Sequence, residues 1–124
     1  MLGNLTIVRG LPGSGKTTFA KSLGILHFEA DMYFMKDGIY CYDAAKIAGA
    51  HARCKELTFA ALENGFDVVV SNTFAAQWEL ELYLAYNPKI YRCTGQYKNI
   101  HNVPEHIINK MADRFESIQG EILV

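Results

Sequence analysis

The sequence predicts an α/β fold in which a mostly parallel sheet of about four to five strands is flanked by helices. Two observations support this prediction. Short apolar runs alternate along the 124 residues with longer segments whose apolar residues recur at helical spacing. One run, residues 66–70 (FDVVV), is almost continuously β-branched, which is typical of a central parallel strand covered on both faces. Alternating strands and helices favour right-handed βαβ units, so ligands are expected at the carboxyl ends of the strands.

The first part of the chain supplies two strands and one helix. A strand at residues 5–8 stops at Gly10, and a helix is predicted at residues 16–23. Residues 26–29 are the second strand candidate. Residues 31–42 form an aromatic-rich loop that is long for a simple connector, so a functional role is expected for it.

The middle of the chain supplies two further helices around the central strand. A long helix is predicted between a cap at Asp43 and a stop at Gly65, because apolar residues recur on one face of this segment. After the central strand, Thr73 is expected to cap another helix, which closes at Asn87-Pro88.

The last part of the chain supplies one strand and one helix. The strand is predicted at residues 89–93. Asn102 and Glu105 have the spacing of a helix N-cap and its partner, and Pro104 is tolerated in the first turn. One side of this final helix is apolar and carries Ile107, Ile108, Met111, Phe115 and Ile118.

The composition limits the class of protein. The formal net charge is −1 and the isoelectric point is about 6.4, so the chain lacks the strongly positive field of proteins that coat long nucleic acids. Cys41, Cys54 and Cys93 are far apart and show no CxxC spacing, which favours reduced thiols over disulfides or a zinc site. The sequence shows neither a signal-like N-terminus nor an apolar stretch of about 18 residues. We therefore expect a soluble, cytoplasmic protein with a single domain over residues 1–124 and no membrane partner.

A glycine-rich motif follows the first strand. Residues 10–17 read GLPGSGKT, which matches G-x-x-x-x-G-K-[ST] between a predicted strand and a predicted helix. In this motif, the P-loop, the glycines let backbone amides approach a phosphate, and the helix directs its positive end at the same anion. The motif predicts a three-layer P-loop NTPase of the nucleotide-kinase kind, with ATP and Mg²⁺ as cofactors. The predicted phosphate-binding residues of the loop are Gly10, Pro12, Gly13, Ser14, Gly15, Lys16, Thr17 and Thr18.

Three side chains of the motif have separate predicted roles. Lys16 brings a mobile positive charge to the β- and γ-phosphates and is therefore a predicted catalytic residue. Thr17 offers its hydroxyl to Mg²⁺, and Thr18 reaches the α-phosphate. Because His27 and His106 show no ligand spacing with the other histidines, no metal site built from protein side chains alone is expected.

The chemistry beyond the P-loop depends on a carboxylate. Switch GTPases and motor ATPases usually carry an acidic residue at the end of the strand next to the P-loop, whereas here the strong strand runs into Ser71, Asn72 and Thr73. Asp31, just beyond the second strand, is the best-placed carboxylate and is predicted to be the base that faces an acceptor hydroxyl. The alternative role for Asp31 is a loop or helix cap.

Five blocks of the chain resemble a family of small P-loop ATPases and kinases related to the kinase domain of phage polynucleotide kinase. The blocks are RGLPGSGKTTFA, ADMYF with DGIY, AHARC, VVVSNTF with Trp78-Glu79, and NIHNVPEHIINKMADRFE. The likeness spans nearly the whole chain, and the ordered series of the last four blocks is more specific than the P-loop. The resemblance implies a kinase for nucleotides or polynucleotide ends, with Asp31 as its base and residues 98–104 as a lid before the last helix.

The chain departs from that family in the lid and after the central strand. The implied lid carries Lys98 and His101 but no arginine pair, and Ser71 stands where polynucleotide kinase has an aspartate. Lys98 is predicted to contact the phosphates, and Arg92 or Arg114 is a candidate to substitute for a lid arginine. Lysine offers only a point charge where arginine offers a bidentate fork, so these departures weaken the case for an efficient kinase.

The leading functional prediction is transfer of the γ-phosphoryl group of ATP to a hydroxyl of a nucleoside, a nucleotide or a nucleic-acid 5′ end. The alternative is an ATP-binding or ATP-hydrolysing switch or adaptor with no small-molecule acceptor. His51 either packs in the core or lies near the acceptor. Four aromatic residues either stack an acceptor base or cover the sheet edge, and these are Tyr33, Phe34, Tyr40 and Tyr42.

Overall fold

The computed structural model describes residues 1–97 and 103–124, which fold as a parallel sheet with helices on both faces. The predicted cap at Asn102 lies outside the described residues. In chain order the elements are β1 (Leu5–Gly10), α1 (Lys16–Ser22), β2 (Leu26–Phe28), β3 (Met35–Lys36), β4 (Ile39–Tyr40), α2 (Ile47–Glu63), β5 (Val68–Asn72), β6 (Lys89–Cys93), α3 (Glu105–Arg114) and β7 (Ile122–Leu123).

The main sheet has five strands in the order β2-β5-β1-β6-β7, and each neighbouring pair is parallel. β1 lies in the middle, with Ile7 opposite Val70 of β5 and opposite Ile90 of β6. The predicted α/β class with a mostly parallel sheet is therefore confirmed. The carboxyl ends of β1, β2 and β5 lie side by side, and the candidate site is built there.

The core has one layer on each face of the sheet. Successive residues of β1, such as Ile7 and Val8, face opposite ways, and both are fully buried. Val8 packs with Val69 and with Ala20 of α1, whereas Ile7 packs with Leu62 of α2. Full burial of a side chain of this size contributes roughly 1.5–3 kcal/mol, so the two layers together fix the sheet between α1 and α2.

The central strand begins two residues later than predicted. Phe66, the first residue of the predicted strand, is 59% exposed, and the strand starts at Val68. The end of α2 explains the difference, because the amides of Gly65 and Phe66 donate to the carbonyls of Leu62 and Ala61 at 3.0 Å. Those two residues complete a C-terminal helix cap and cannot also pair in the sheet.

The prediction of a helix capped by Thr73 is wrong. The segment forms two short 3₁₀ turns, Gln77–Leu80 and Tyr83–Tyr86. Phe74 is buried with φ at 46°, a left-handed conformation that turns the chain directly after Thr73. The first turn starts instead near Ala76, whose amide donates to Glu79 Oε2 at 2.9 Å. The segment closes at Asn87 as predicted, in the left-handed conformation.

The aromatic-rich loop contains structure that was not predicted. Residues Ala30–Phe34 form a 3₁₀ turn, and β3 and β4 pair as a small antiparallel hairpin. Asp37 and Gly38 connect the two strands with φ values of 52° and 79°. Asp-Gly is a strong local signal for this kind of tight turn, so the hairpin was recognisable from sequence.

The entry into α2 also differs in detail from the prediction. Asp43 is a cap, because its Oδ1 accepts a hydrogen bond from the amide of Ala45 at 3.0 Å. The capped turn is the short 3₁₀ segment Ala44–Lys46, and the α-helix proper begins only at Ile47.

The final helix is shorter than predicted and ends at Arg114. Phe115 is extended, and its ring contacts two guanidinium groups, whose central carbons lie 4.2 Å (Arg9) and 4.5 Å (Arg92) from the ring centroid. The following Glu116 is bound through its backbone, with its amide donating to the carbonyl of Ala75 at 2.7 Å. These tertiary contacts outweigh the helical periodicity that continues to Ile118, and they lead the chain into the unpredicted strand β7.

A buried arginine holds this C-terminal segment to the sheet. Arg9 of β1 is fully buried, and its Nη1 lies 2.6 Å from Glu121 Oε1. The same guanidinium donates to the carbonyl oxygens of Phe74 and Glu116 at 2.7 Å. Arg9 directly precedes the P-loop, so these contacts fix the strand end from which the loop starts.

Replacing Arg9 by methionine is expected to lower the free energy of unfolding by about 3–5 kcal/mol, because it removes the 2.6 Å ion pair with Glu121 and the donor to the carbonyl oxygens of Phe74 and Glu116. Glu121 then keeps its longer ion pair with Arg92, at 3.6 Å. Urea denaturation measures this loss. The control is Arg53→Met, which removes an exposed arginine whose Nη1 lies 3.5 Å from Glu56 and whose side chain is 53% exposed. The control should cost no more than about 1 kcal/mol, and equal losses in the two variants would contradict the anchoring role of Arg9.

None of the helices formed by residues 1–97 and 103–124 combines the length and the apolar character that crossing a bilayer requires. Within the same residues, Cys41 is exposed, Cys54 and Cys93 are buried, and all three are free thiols.

Candidate active site

The P-loop connects the end of β1 to the start of α1. Gly15 has φ at 91°, in the left-handed region that favours glycine. Gly10 lies so close to its neighbours that an added Cβ would stand 2.3 Å from Ser14 Oγ and 3.0 Å from the carbonyl oxygen of Cys93. The glycines of the motif are therefore required by backbone geometry, which supports the prediction of a compact anion-binding turn.

The start of α1 presents backbone donors to the space above the loop. Phe19 is the residue whose amide closes the first helical hydrogen bond, to the carbonyl of Gly15 at 2.9 Å. The amides of the preceding residues have no acceptor within the helix. Thr17 and Thr18 belong to this first turn, and both line the cavity above the P-loop. Such a turn suits phosphate oxygens, because amide donors and the positive end of the helix act on the same anion.

Lys16 extends from this turn into the same cavity. Burial lowers the pKa of its ammonium group, and the carboxylates of Asp31 and Glu29 oppose that shift. The ammonium group is thus partly removed from water and lies near two negative charges. A bound triphosphate would add a stronger negative charge, and in nucleotide-binding proteins the lysine of the P-loop contacts the β- and γ-phosphates.

Asp31 also lines the cavity, from the 3₁₀ turn after β2. The hydroxyl of Tyr40 donates to Asp31 Oδ1 at 3.0 Å, and burial raises the pKa of that hydroxyl, with Asp31 adding to the shift. The hairpin β3–β4 supplies Tyr40, so the hairpin orients the carboxylate. The structure thereby brings together Lys16 and Asp31, the two predicted catalytic residues.

Glu29 is a site residue that the sequence prediction missed. Its Oε2 accepts hydrogen bonds from Thr17 Oγ1 at 3.0 Å and from Ser71 Oγ at 2.9 Å. His27 Nε2 lies 2.6 Å from the same serine oxygen. Because an ionised carboxylate only accepts hydrogen bonds, Ser71 donates a hydrogen bond to Glu29 and accepts one from His27. The position of Glu29 at the end of β2, two residues before Asp31, was the available signal.

The cavity bounded by these residues has a volume of about 1300 Å³. The P-loop, Glu29 and Asp31 line it, together with Ile107 and Met111 of α3. This volume exceeds the roughly 300–1,000 Å³ of ordinary small-molecule sites, so it has room for a nucleotide and a second substrate. The predicted residues that line it are Pro12, Gly13, Ser14, Gly15, Lys16, Thr17, Thr18 and Asp31.

The aromatic residues of residues 31–42 divide between core and cavity. Phe34 is buried in the core and also lines the cavity. Tyr40 and Tyr42 line the cavity and stack on each other, with ring centroids 6.5 Å apart and planes 18° from parallel. Tyr33 is 48% exposed and lies outside the cavity lining. His51 is half-buried and lines the cavity, outside the buried core.

Comparison with solved structures places this architecture among P-loop kinases. A sugar kinase from Janibacter sp. HTCC2649 superposes with a TM-score of 0.74 at 16% identity, over 98% of this chain and 84% of that chain. A gluconokinase from Sinorhizobium meliloti 1021 gives 0.65 at 16% identity, over 98% and 81%. The chain has the fold of P-loop kinases. A chain of the Pnkp1/Rnl/Hen1 RNA repair complex gives 0.60 at 18% identity, over 96% of this chain and 41% of that chain.

Sequence comparison finds a distant relative. No protein-family model matches the chain. NEDD4-binding protein 2 of Homo sapiens is 27% identical over 90% of this chain. The aligned region is 8% of that protein, so the chain corresponds to a small part of a much longer relative.

Within the described part of the chain, the basic residues considered for the lid do not line the large cavity. Arg92 Nη1 lies 3.6 Å from Glu121 Oε2, and its guanidinium stacks on Phe115, outside the lining of the large cavity. Arg114 is exposed at the end of α3 and does not line the cavity either. Lys98 and His101 lie outside the described residues.

The residues present fit a magnesium nucleotide. In residues 1–97 and 103–124, no group of three or more His, Cys, Asp or Glu side chains could hold a metal ion. A Mg²⁺ ion at this site would instead share its oxygen ligands between protein groups, phosphates and water, which is its usual mode in phosphotransferases. Thr17 Oγ1 and Glu29 Oε2 are the protein oxygens that lie together beside the P-loop.

His27 is expected to make the fold sensitive to mild acid. Burial lowers the pKa of His27 below 6.5, with Glu29 opposing the shift. As the pH falls from about 7 to about 5, the unfolded chain binds a proton at this histidine before the folded chain does, so stability falls in that window. A His27→Gln variant keeps a donor for Ser71, and its thermal midpoint should fall less than that of the wild type between these pH values. An identical pH dependence in both proteins would contradict the assignment.

Proposed function

We propose that this chain binds ATP with Mg²⁺ and transfers the γ-phosphoryl group to a hydroxyl of a nucleoside, a nucleotide or a nucleic-acid 5′ end. The observation that carries the proposal is the placement of Lys16 and Asp31 in one cavity, beyond the carboxyl ends of β1 and β2. A P-loop alone binds nucleotide, whereas a carboxylate across from its lysine supplies a base for an acceptor.

The residues would divide the reaction between them. The amides of the P-loop and the ammonium group of Lys16 hold the phosphates and balance charge on the transferred group. Asp31 takes the proton of the acceptor hydroxyl while the acceptor oxygen bonds to the γ-phosphorus. The bond from that phosphorus to the bridging oxygen breaks, and ADP leaves. Bound Mg²⁺ supplies electrostatic stabilisation of the phosphate oxygens.

The acceptor class is inferred from the wall beside Asp31. Tyr40 donates to Asp31, and the stacked ring of Tyr42 extends the same surface, so a planar base would lie next to the carboxylate. Stacking on an aromatic side chain is worth roughly 1–3 kcal/mol per base. The resemblance to the phage polynucleotide kinase family and the fold shared with a chain of an RNA repair complex also favour a nucleic-acid or nucleotide acceptor.

The test is phosphoryl transfer from γ-labelled ATP to a panel of acceptors. The panel contains 5′-hydroxyl DNA and RNA oligonucleotides, nucleosides, nucleotides, and the neutral and acidic sugars on which structural neighbours are named to act. Label on a nucleoside or a 5′ end supports the proposal. Label on a sugar alone keeps the kinase chemistry and changes the acceptor, whereas label on no acceptor contradicts the proposal.

A second function, an ATP-dependent switch or adaptor, is favoured by one specific observation. Among the described residues that line the cavity there is no arginine, and the basic side chains are Lys16 and His51. Some P-loop ATPases and GTPases receive the missing arginine from a partner protein, which raises their turnover. Slow hydrolysis that a protein partner accelerates, with no labelled acceptor, would favour the switch.

A further inference from the structure

The strand next to the P-loop lacks the acidic residue that such strands usually carry. In P-loop nucleotide-binding proteins, Mg²⁺ is held by the loop Ser or Thr and by an aspartate at the end of a neighbouring strand. Here β5 pairs directly with β1 and ends in Ser71 and Asn72, which carry no charge. Asn72 is occupied structurally, since its Oδ1 accepts from the amide of Ala30 at 2.8 Å.

A carboxylate from the next strand reaches the same place. β2 pairs with β5 on the side away from β1, and its end brings Glu29 over Ser71. Glu29 Oε2 lies 2.9 Å from Ser71 Oγ and 3.0 Å from Thr17 Oγ1. The side chain of Glu29 is only 15% exposed, so its direction is fixed by these contacts. One carboxylate oxygen therefore contacts both the loop threonine and the residue that replaces the usual aspartate.

From this placement, the geometry points to Glu29 as the carboxylate that holds the Mg²⁺ shell, in place of the acidic residue missing from position 71. The inference rests on the proposed binding of ATP with Mg²⁺. It assigns different work to the two acids of the cavity. Glu29 contacts Thr17 on the phosphate side, whereas Asp31 is bound by Tyr40 on the acceptor side.

The charge balance of the cavity supports a divalent cation at this position. Two carboxylates, Glu29 and Asp31, face one ammonium group, that of Lys16. A triphosphate that entered without a cation would lie beside two negative groups with a single positive one to offset them. Mg²⁺ between Thr17, Glu29 and the phosphates removes that repulsion, and hard oxygen ligands of this kind are those that Mg²⁺ prefers.

The experiment measures nucleotide affinity against Mg²⁺ concentration rather than turnover. Isothermal titration calorimetry with a non-hydrolysable ATP analogue is run on the wild type, Glu29→Gln, Glu29→Asp and the double variant Glu29→Gln/Ser71→Asp. Glutamine keeps the size and an acceptor oxygen but removes the charge. The control is Asp31→Asn, which removes one negative charge from the same cavity on the acceptor side.

We expect Glu29→Gln to need about 10- to 100-fold more Mg²⁺ for half-maximal enhancement of analogue binding. Glu29→Asp should be affected less, the double variant should recover Mg²⁺ dependence because it restores a carboxylate at position 71, and Asp31→Asn should resemble the wild type. Thermal melting of each variant shows whether the fold is retained. If Glu29→Gln fails to fold, the Glu29→Asp and double variants decide the question.

Three contrary results have different meanings. Analogue binding whose Mg²⁺ dependence is unchanged in Glu29→Gln, with only a lower melting temperature, makes Glu29 a structural partner of Thr17 and overturns this inference alone. Failure of the wild type to bind the analogue at any Mg²⁺ concentration overturns the proposed function, and this inference with it. An equal loss of Mg²⁺ dependence in Asp31→Asn would also overturn the division between the two acids.

Discussion

The Lys16→Ala variant is expected to lose about 100- to 1,000-fold in kcat/KM for phosphoryl transfer while it remains folded. The lysine lies in the cavity beside two carboxylates, and burial disfavours its charge in the absence of an anion. Removal of the lysine side chain should therefore change the free energy of unfolding little. In the nucleotide complex, however, it removes a full positive charge next to the phosphates. Transfer of label from γ-labelled ATP measures the rate, and calorimetry measures the accompanying loss of nucleotide affinity.

The matched control for this variant is Lys21→Ala, on the same helix. Lys21 is exposed in the last turn of α1 and does not line the cavity. Its replacement should leave nucleotide affinity within about twofold of the wild type, since salt screens an exposed charge that lies outside the cavity. A Lys16→Ala protein that still gains full thermal protection from ATP and Mg²⁺ would contradict the P-loop assignment.

The P-loop was predictable because its determinants are local. Gly10, Gly15 and Lys16 are specified by a turn and a helix start that occupy nine consecutive residues, and the structure places them accordingly. The position of Asp31 in the cavity was also predictable from sequence, since the end of a parallel strand is a restricted position. The Asp-Gly turn of the small hairpin had a local signal as well, although the segment was predicted as a loop.

The features that sequence analysis missed depend on residues far apart in the chain. The contact of Glu29 with Ser71 joins two strands whose order in the sheet is not written in either of them. The early end of α3 depends on Arg9, more than a hundred residues away, because Phe115 leaves the helix to stack on that guanidinium. Periodicity reports the apolar face of a helix but not the tertiary contact that stops it.

The same buried arginine links the fold to the site. Arg9 and Gly10 are consecutive, and the amide of Gly10 donates to the carbonyl of Thr73 at 3.3 Å while Arg9 binds the carbonyl of Phe74. The ends of β1 and β5 are thereby tied together just where Ser71 and the P-loop meet. Fixed strand ends support a phosphate-binding loop, because the amide donors of the loop must be in position before the phosphate binds.

The Asp31→Asn variant is expected to lower kcat for phosphoryl transfer by about 100- to 10,000-fold, with nucleotide affinity nearly unchanged. Asparagine keeps an oxygen that can accept the hydrogen bond from Tyr40, so the turn and the hairpin should retain their positions. It cannot take a proton from the acceptor hydroxyl. The split between a large loss in kcat and a small change in ATP affinity, measured by initial rates and calorimetry, separates a base from a phosphate-binding residue.

Asp37→Asn provides the matched control on the same segment. Asp37 lies in the hairpin turn with φ at 52°, a conformation that asparagine also adopts, and it does not line the cavity. Its rate should equal that of the wild type. A fully active Asp31→Asn protein would remove the base from the mechanism. A different outcome is that the wild type and Asp31→Asn hydrolyse ATP slowly and at equal rates, with no acceptor labelled. Asp31 would then have no acceptor hydroxyl to deprotonate, and an ATP-dependent switch would describe this chain better.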